Sequence, residues 1–476
     1  MFFWKECVII GLQTARKNKI KRGKMGTKKY LKWYHKIGYG SGDIAGNVVY
    51  ALLSSFLMFY LTDSIGLSMG VVGTLMAVSK VFDGVSDFFF GRLIDKTHTK
   101  MGKARPWMLW AYIGCAVTLV ATFSVPTSWG MTAQYAYFFI AYTLLNAIFF
   151  TANNIAYASL TALITKNTNE RVQLGSFRFI FAFATSMVIQ YITLKAVGWC
   201  GGGASGWRTV TIILALIGLA VNTISCLSVK ELNETDCGSD GERAEEKITF
   251  IQSLKLLVSN KYYLMICGTY ILTQIYTSMI GMGVYYAKYI LGNEDLFGTF
   301  SLAINIPLVV GLLISPLLIQ KWKGMYAINI GGYVLATIFR GLVIVAGYLG
   351  NVPLMLAFTA VAALGISPLQ GDMNALIASC SEYTALKTGK SIDGMMFSCS
   401  SLGIKVGGAI GTAICGWLLD AAGYVENALA QSSSCVSMMN VLYLWIPTIL
   451  CGLIALLLTG LKVEKANKKL RENIEK

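Results

Sequence analysis

The side chains most able to do chemistry in this sequence are charged residues inside long apolar stretches. In one such stretch Lys80, Asp83 and Asp87 are spaced three and four residues apart, so a helix would carry all three on one face. An ionised side chain at bilayer depth costs at least about 2.5–3.5 kcal/mol and persists where it has a partner or a function. Two carboxylates one helical turn apart repel each other unless a cation, a proton or a lysine offsets their charge.

This acidic pair has two interpretations. In the first, the site binds a cation that takes part in the function of the protein. Asp83, Asp87 and the Ser86 hydroxyl supply the oxygen ligands that hard cations prefer. In the second, Asp83 forms an ion pair with Lys80 or Lys405 that serves folding alone. We favour the first interpretation, because two buried acids without a role would be costly.

Lys405 lies in another apolar stretch, and two glycines follow it closely. A lysine at this depth needs a carboxylate, and Asp83 and Asp87 are its expected partners across the interface between two groups of helices. The alternative is that its ammonium group reaches the membrane surface while its methylene chain stays in the apolar layer. We expect the ion pair. If the protein carries a solute together with a cation, Lys405 and Lys80 would be the residues that couple the two.

A second polar group lies near the start of the first apolar stretch. Asp43 and Asn47 are four residues apart and share one helical face, with glycines beside them. A carboxylate in a central cavity can accept hydrogen bonds from sugar hydroxyls, and Arg178 can hold a hydroxyl or a carboxylate of a substrate. The alternatives are a helix–helix hydrogen bond for Asp43 and an anchoring role at the membrane surface for Arg178.

The composition indicates which elements must position these residues. Of 476 residues, 55% are hydrophobic and 13% are charged, whereas a soluble protein carries about 25% charged residues. Apolar stretches of about 20 residues recur along the chain, each long enough to cross a bilayer of about 30 Å. The sequence therefore predicts an all-α integral membrane protein with twelve transmembrane helices. The predicted spans are 38–62, 68–94, 106–127, 132–163, 177–198, 208–229, 262–288, 296–320, 325–349, 352–380, 394–422 and 439–461.

A long polar stretch divides these spans into two groups of six. The expected parts are a basic segment 1–37, a first half 38–229, a linker 230–261, a second half 262–461 and a tail 462–476. Lysine and arginine concentrate before the first span, in alternate loops and after the last span, while the loops 63–68, 127–131 and 423–438 contain neither. This distribution predicts that both termini are cytoplasmic. The chain begins at either Met1 or Met25.

Several other classes of function have little support in the sequence. The net charge of +16 is spread over short loops, and no separate basic domain exists that could bind nucleic acid. The 11 cysteines form no CxxC pair, and only two histidines are present, so no metal centre is expected. A membrane-embedded enzyme would need convergent nucleophile, base or metal ligands at one interface, and the sequence offers no such set.

Several segments in order along the chain resemble the glycoside–pentoside–hexuronide:cation symporters, the family that includes melibiose permease. They are GYGSGDIAGN at 38–47, DGVSD at 83–87, DKTHTKMGKARPW at 95–107, NERVQLGSFR at 169–178, GGG at 201–203 and KVGG at 405–408. The resemblance implies the major facilitator fold, alternating access, and symport driven by Na⁺ or H⁺, with no cofactor beyond that ion.

The resemblance also implies roles for individual residues. Asp83 and Asp87 would bind the cation with Lys405 close by, and Asp43 and Arg178 would bind sugar. The segment that includes Asp95 and Arg105 would be a cytoplasmic gating loop. To these we add Ser86 and Thr151 as candidate cation ligands, Lys80 as a coupling residue, and Asn47, Asn153 and Asn154 as candidate sugar ligands.

The sequence departs from the melibiose carriers at three positions that matter for specificity. Asn153 or Asn154 stands where those carriers have a sugar-binding acid, and no tryptophan follows four residues later. Gly42 stands in place of a lysine, and Ser86 in place of the asparagine between the two carboxylates. The sugar is therefore not expected to be melibiose, and the choice between sodium, lithium and proton stays open.

The functional prediction is a secondary transporter of the plasma membrane that carries a sugar with a monovalent cation, surrounded by lipid. The short outer loops are typical of a bacterial protein. One alternative is a lysophospholipid-type solute, since symporters of such lipids share this fold and carry a disulfide between two outer loops. Cys200 and Cys435 lie in those loops, although chance placement is the favoured explanation. A second alternative is a transport-inactive sensor with the same fold.

Overall fold

A computed structural model describes residues 29–165, 167–232, 250–322, 324–388, 393–426 and 428–474. Most of the predicted basic segment 1–37 and of the predicted linker 230–261 lies outside these residues. Within the described residues all regular secondary structure is helical, apart from one isolated bridge between Thr99 and Gly102. The expectation of an all-α protein is therefore confirmed.

Twelve long helices follow one another in the described residues, and we number them α1 to α12. The first six are α1 (Trp33–Ser55 and Leu57–Ser64, bent by 50°), α2 (Met69–Asp95), α3 (Arg105–Thr122), α4 (Met131–Ile164), α5 (Thr168–Trp199) and α6 (Gly203–Ser228). The second six are α7 (Lys261–Tyr289), α8 (Leu296–Trp322), α9 (Tyr326–Tyr348), α10 (Val352–Thr388), α11 (Asp393–Ala421) and α12 (433–460). Shorter helices at Phe250–Ser259 and Val463–Ile474 precede α7 and follow α12.

Length and apolar composition identify the membrane spans among the described helices. Ten of them satisfy both criteria, and the bent α1 makes eleven. The remaining helix is α3, whose mean hydropathy is lowered by Arg105 and Pro106 in its first turn. Because α3 connects to α2 and α4 through short loops, it must cross the bilayer for the chain to alternate between the two faces. The expected twelve-helix architecture is confirmed.

Five helices extend at least five residues beyond the predicted spans, at Trp33 in α1, at Thr168 in α5, at Gly203 in α6, at Thr388 in α10 and at residue 433 in α12. The additional part of α5, residues 168–176, is mostly polar and is held by tertiary contacts. The carboxylate of Glu170 accepts hydrogen bonds from the backbone N–H groups of Tyr30 and Leu31, at 3.2 and 3.1 Å. Hydropathy marks only the part of a helix in the apolar layer, so it misses such extensions.

Both ends of the described chain lie on the same side of the helix bundle, which we call the terminal face. The Glu170 contacts tie the start of α1 to the start of α5 on this face. The helix Val463–Ile474 packs against α10, where the Arg471 guanidinium donates to the Glu382 carboxylate. We call the opposite side, which carries the end of α1 and the start of α2, the distal face.

One glutamate after each half of the chain closes a helix end on the terminal face. Glu231, just after α6, accepts hydrogen bonds from the backbone N–H groups of residues 103–105 at 2.7–2.9 Å. Glu464, just after α12, accepts from the N–H groups of Met325 and Tyr326 at 3.1 and 3.2 Å. Each carboxylate satisfies unpaired donors at a helix N-terminus, where the helix dipole also favours negative charge. The third helix of each half is thus held by its own glutamate.

The two halves meet most closely along α2 and α11. Gly73 and Gly416 lie at this seam, and a Cβ atom on Gly73 would be 3.1 Å from the Cα atom of Gly416. Small residues allow two helix backbones to approach in a bilayer, where apolar burial alone does not drive association. The seam brings the acidic face of α2 next to the lysine of α11.

Candidate functional site

A cavity of about 530 Å³ lies between the two halves and is lined by residues of α1, α2, α4, α7 and α11. Its volume falls in the range of about 300–1,000 Å³ typical of small-molecule sites. Met282 and Tyr285 line the part nearest the distal face, and Asp43 and Asn154 line the part toward the terminal face. Asp83, Asp87, Lys80 and Lys405 line it at intermediate depth.

Lys405 joins the two carboxylates of α2 across the seam. Its Nζ atom is 3.1 Å from Asp83 Oδ1 and 2.5 Å from Asp87 Oδ2. It also donates to the backbone carbonyl oxygen of Asp83 at 2.8 Å. An ammonium group has three N–H donors, so these three acceptors use all of them. The ion pair expected from the sequence is present, and it links the two halves in the middle of the bilayer.

Lys80 also crosses the seam, but it contacts neutral groups. Its Nζ atom donates to the carbonyl oxygen of Gly408 and to the Thr412 hydroxyl, both at 2.9 Å. A Cβ atom on Gly408 would lie 3.1 Å from this Nζ atom, so a glycine here leaves the room that the lysine needs. Lys80 therefore neutralises charge near the acids without binding them directly.

The two candidate hydroxyl ligands differ in what they contact. The Thr151 hydroxyl of α4 donates to Asp83 Oδ1 at 2.5 Å, so it joins the acidic cluster. The Ser86 hydroxyl donates to the backbone carbonyl oxygen of Asp83 at 2.9 Å, within its own helix. Thr151 directly follows a π-helical segment, Leu144–Phe150, and such segments are frequent at functional sites. The structure thus brings Thr151, and not Ser86, to the carboxylates.

The second polar group is a compact set of three side chains. Arg178 Nε donates to Asp43 Oδ2 at 2.7 Å, and the Tyr157 hydroxyl donates to the same oxygen at 3.0 Å. The guanidinium carbon of Arg178 lies 4.3 Å from the centre of the Tyr157 ring, a cation–π contact. Asp43 lines the cavity. Arg178 and Tyr157 do not line it, and they bind the Asp43 carboxylate from the side away from the cavity.

The three candidate asparagines are placed differently. Asn47 lines the cavity, and its side chain bonds the Asp43 carbonyl oxygen and the Ser186 hydroxyl. Asn154 is exposed to the cavity. Asn153 points away from it: the residue is buried, and its amide donates to the Met108 carbonyl oxygen at 2.7 Å. The structure therefore places Asn154, and not Asn153, at the cavity, and gives Asn153 a role in packing α4 against α3.

The candidate gating loop lies on the terminal face, outside the residues that line the cavity. Asp95 is the last residue of α2, and its side chain is outside the described part of the structure. Arg105 begins α3, and its Nε atom donates to the Cys226 carbonyl oxygen of α6 at 3.0 Å. Together with Glu231, Arg105 fastens this loop to the end of the first half.

Sequence reasoning missed a polar cluster that joins the halves at the distal face, which we call the distal latch. Asp63, at the end of α1, is 2.7 Å from Lys288 Nζ and accepts hydrogen bonds from the hydroxyls of Tyr289 and Tyr424. Its side chain is only 2% exposed. Thr62 connects this carboxylate to the Tyr285 hydroxyl, which lies over the end of the cavity.

The latch and Tyr157 carried weak signals in the sequence. Asp63 follows the first predicted span directly and therefore reads as a loop residue. Tyr157 lies four residues after Asn153 and three after Asn154, and an aromatic residue so close to the candidate sugar ligands was the available signal. Cys200 and Cys435 are both free thiols here, so the structure shows no disulfide between those loops.

Glu170, which lies outside the membrane spans, has a shifted pKa. Burial tends to raise the pKa of Glu170, but hydrogen bonds from Thr165, Leu31 and Tyr30 and the charge of Lys36 outweigh burial and lower it. The ionised carboxylate is therefore stabilised in the folded protein, where it holds the start of α1.

Comparisons with known proteins agree with this architecture. The model of the family described as "MFS/sugar transport protein" matches residues 38–465. The isoprimeverose transporter of Lactiplantibacillus pentosus is 31% identical over 94% of this chain and 92% of its own length. The putative glycoside/cation symporter YagG of Escherichia coli (strain K12) is 28% identical over 91% of this chain and 94% of its own. A glucuronide carrier protein homolog of the same strain is 28% identical over 83% and 85% of the two chains.

Solved structures show the same fold at low sequence identity. The crystal structure of a D-xylose-proton symporter has a TM-score of 0.63 at 15% identity, and covers 89% of this chain and 96% of its own. A bacterial homolog of the human lysosomal transporter Spinster, in an inward-facing and unoccupied conformation, has a TM-score of 0.62 at 12% identity over 94% and 99% of the two chains. By its family match and its relatives, the chain belongs to the MFS/sugar transport proteins, and among them to the glycoside–pentoside–hexuronide:cation symporters of the major facilitator superfamily.

Proposed function

We propose that this protein is a symporter that carries a sugar or glycoside together with Na⁺ or H⁺ by alternating access. Relatives named for isoprimeverose, for glycoside/cation symport and for glucuronide support a sugar as the solute. Because these names include both neutral and acidic sugars, they leave the class of sugar open. They do not favour a lysophospholipid-type solute or a transport-inactive sensor.

The observation that carries the proposal is the position of Lys405 between Asp83 and Asp87 at the cavity wall. The two acids come from the first half, and the lysine comes from the second. A cation or proton that binds the acids weakens their attraction to Lys405, because it offsets the same negative charge. Binding of the ion therefore changes the strength of the contact between the halves, which is what coupling requires.

The distal latch supports alternating access. It holds the halves together on the distal side of the cavity through Asp63, Lys288 and Tyr424. For the solute site to open to the distal side, these contacts must break, and the halves must come together on the terminal side of the cavity instead.

We propose that the terminal face is cytoplasmic, that the protein resides in the plasma membrane, and that the two halves are residues 38–229 and 262–461.

In the proposed cycle, an ion binds at Asp83 and Asp87 with help from Thr151, and a sugar binds near Asp43, Asn47 and Asn154. Arg178 and Tyr157 fix the orientation of the Asp43 carboxylate toward the solute. Each ligand shifts the equilibrium between conformations only by its difference in affinity for them. Ion and sugar together are expected to favour reorientation more than either does alone.

The test is uptake of radiolabelled neutral and acidic glycosides into proteoliposomes under an imposed sodium or proton gradient. We expect accumulation against the sugar gradient in wild type and its loss in Asp83→Asn, which removes the charge that binds the ion. Asp420→Asn is a suitable control, because Asp420 lies on the same seam and accepts a hydrogen bond from Ser68 outside the cavity. Full gradient-driven uptake by Asp83→Asn would show that the coupling site lies elsewhere.

A further inference from the structure

Tyr285 fills the space between the solute cavity and the distal latch. Its side chain lines the end of the cavity nearest the distal face, and the residue is only 1% exposed. The ring makes edge contacts with Phe59 of α1, at 5.5 Å between ring centres, and with Tyr424 of the latch, at 5.8 Å. One side chain of α7 therefore touches the cavity on one side and the latch on the other.

The Tyr285 hydroxyl is bonded to the latch through Thr62. The two hydroxyl oxygens are 2.9 Å apart, and Thr62 has a single proton to donate. That proton has acceptors within α1, among them Asp63 Oδ2 and the carbonyl oxygen of Met58, both at 3.1 Å. Because Thr62 donates to one of these acceptors, its oxygen accepts from Tyr285. The hydrogen bond from Tyr285 to Thr62 thus joins α7 of the second half to α1 of the first.

The same two helices are in close contact at the cavity wall. A Cβ atom on Gly281 of α7 would be 3.2 Å from the backbone carbonyl oxygen of Ser54 in α1, and both residues line the cavity. A solute at this end therefore lies against both halves when the distal side is closed. When the distal side is open, α1 and α7 have separated, and the solute contacts only one of them. Since a ligand favours the conformation that it binds better, a bound solute favours distal closure.

We infer that Tyr285 is the residue through which a bound solute strengthens the distal latch. This inference rests on the proposed function and concerns how its solute site is linked to the latch. Opening of the distal side frees the Tyr285 side chain, and a solute packed against the ring holds it in the orientation that bonds Thr62. The hydroxyl then supports the contacts of Asp63 with Lys288 and Tyr424. Tyr285 acts through Thr62, so it is a positioning residue for the transport cycle.

The experiment measures how far a solute closes the distal side of the protein. Spin labels are attached in a cysteine-free background through Ser128→Cys and Ser434→Cys, at exposed positions of the distal face in the first and the second half. Pulsed EPR in lipid nanodiscs with NaCl gives the ratio of closed to open molecules, without solute and with a saturating glycoside that the uptake assay shows to be carried. In wild type we expect the solute to raise this ratio at least about fivefold, which corresponds to about 1 kcal/mol.

Tyr285→Phe keeps the ring and removes only the hydroxyl. The solute should still bind, but its effect on the ratio should fall below about twofold, because the coupling between solute and latch is lost. Thr62→Val removes the other hydroxyl and should have the same effect. The double variant should be no worse than either single variant, since both act on one hydrogen bond. Tyr286→Phe is the matched control, because among the described residues the buried Tyr286 hydroxyl has no hydrogen-bond partner.

The possible outcomes separate this inference from the proposed function. An equal shift of the ratio with and without solute in Tyr285→Phe would show that the hydroxyl only stabilises the closed form, and would overturn the inference. Loss of solute binding in that variant would also overturn it, because the hydroxyl would then be a direct ligand. If Tyr285→Phe does not fold, Thr62→Val decides in the same way. A wild-type ratio that ignores the solute would overturn the inference alone, whereas uptake of none of the glycosides would overturn the proposed function.

Discussion

At the scale of single residues, the acidic pair of α2 shows how one lysine makes two partly buried charges tolerable. Lys405 contacts both carboxylates, whereas Lys80 contacts only a carbonyl oxygen and a hydroxyl. Removing one partner of a buried ion pair costs about 3–5 kcal/mol, because the other charge stays buried without compensation. The two lysines should therefore differ sharply when each is replaced.

We predict that Lys405→Met lowers the thermal stability of the purified protein in sodium-free buffer much more than Lys80→Met does. The cost should approach about 3–5 kcal/mol for Lys405→Met, because Asp83 and Asp87 then repel each other. Adding Asp87→Asn to Lys405→Met should restore most of the loss, since one carboxylate is removed. Unfolding curves of the two single variants and the double variant measure this. Equal losses for both lysines, with no recovery in the double variant, would contradict the assignment.

At the scale of helices, a buried carboxylate fixes the start of α1 to the start of α5. Glu170 accepts hydrogen bonds from Tyr30, Leu31 and Thr165, and its pKa lies below the ordinary value. A group whose pKa is lowered by folding stabilises the fold above its unfolded pKa, which is about 4.3 for glutamate. That contribution is lost as the pH falls through the folded pKa.

We therefore predict that Glu170→Gln destabilises the protein at pH 7 by about 1–3 kcal/mol, the range for a lost hydrogen bond to a charged group. The difference between the variant and wild type should shrink as the pH is lowered below about 4. Apparent melting temperatures at pH 7 and at pH 3.5 measure both effects. Glu472→Gln, at an exposed position of the final helix, serves as the control. A difference that stays constant with pH would mean that the charge of Glu170 is not what fixes α1.

The same scale shows what the sequence could and could not predict. Apolar length sufficed to locate the twelve helices, and the spacing of Asp83 and Asp87 sufficed to place them on one face. The sequence could not decide between Asn153 and Asn154, because the π-helical segment Leu144–Phe150 changes the rotational phase of the rest of α4. Contacts such as that of Tyr157 with Asp43 depend on this phase and on how α1, α4 and α5 pack together.

At the scale of the whole molecule, the distal latch concentrates contacts between the halves around one carboxylate. Asp63 receives Lys288, Tyr289 and Tyr424, all from the second half. No such cluster was expected from the sequence, because its members are far apart along the chain. A conformational change that exposes the cavity on the distal side must separate Asp63 from all three.

We predict that Asp63→Asn shifts the protein toward a conformation open on the distal side. The measurement is labelling of Cys415, which lines the cavity, by a membrane-impermeant thiol reagent added from that side. The other cysteines are replaced beforehand. Labelling should rise severalfold, because an amide binds Lys288 and the two tyrosines more weakly than a carboxylate does. Asp295→Asn, an exposed acid near the same face, should leave labelling unchanged. Labelling equal to that of the parent protein would mean that the latch does not control opening.

The paired glutamates at the terminal face have a practical consequence for anyone who shortens or divides this chain. The last membrane span ends at Gly460, but the folded body continues at least to Glu464, since this residue closes the start of α9. A chain truncated at Gly460 would uncover those backbone N–H groups, whereas a tag fused after Ile474 would spare them. A chain cut between residues 232 and 250 would leave each fragment with its own closing glutamate, so the two pieces are suited to separate expression and reassembly.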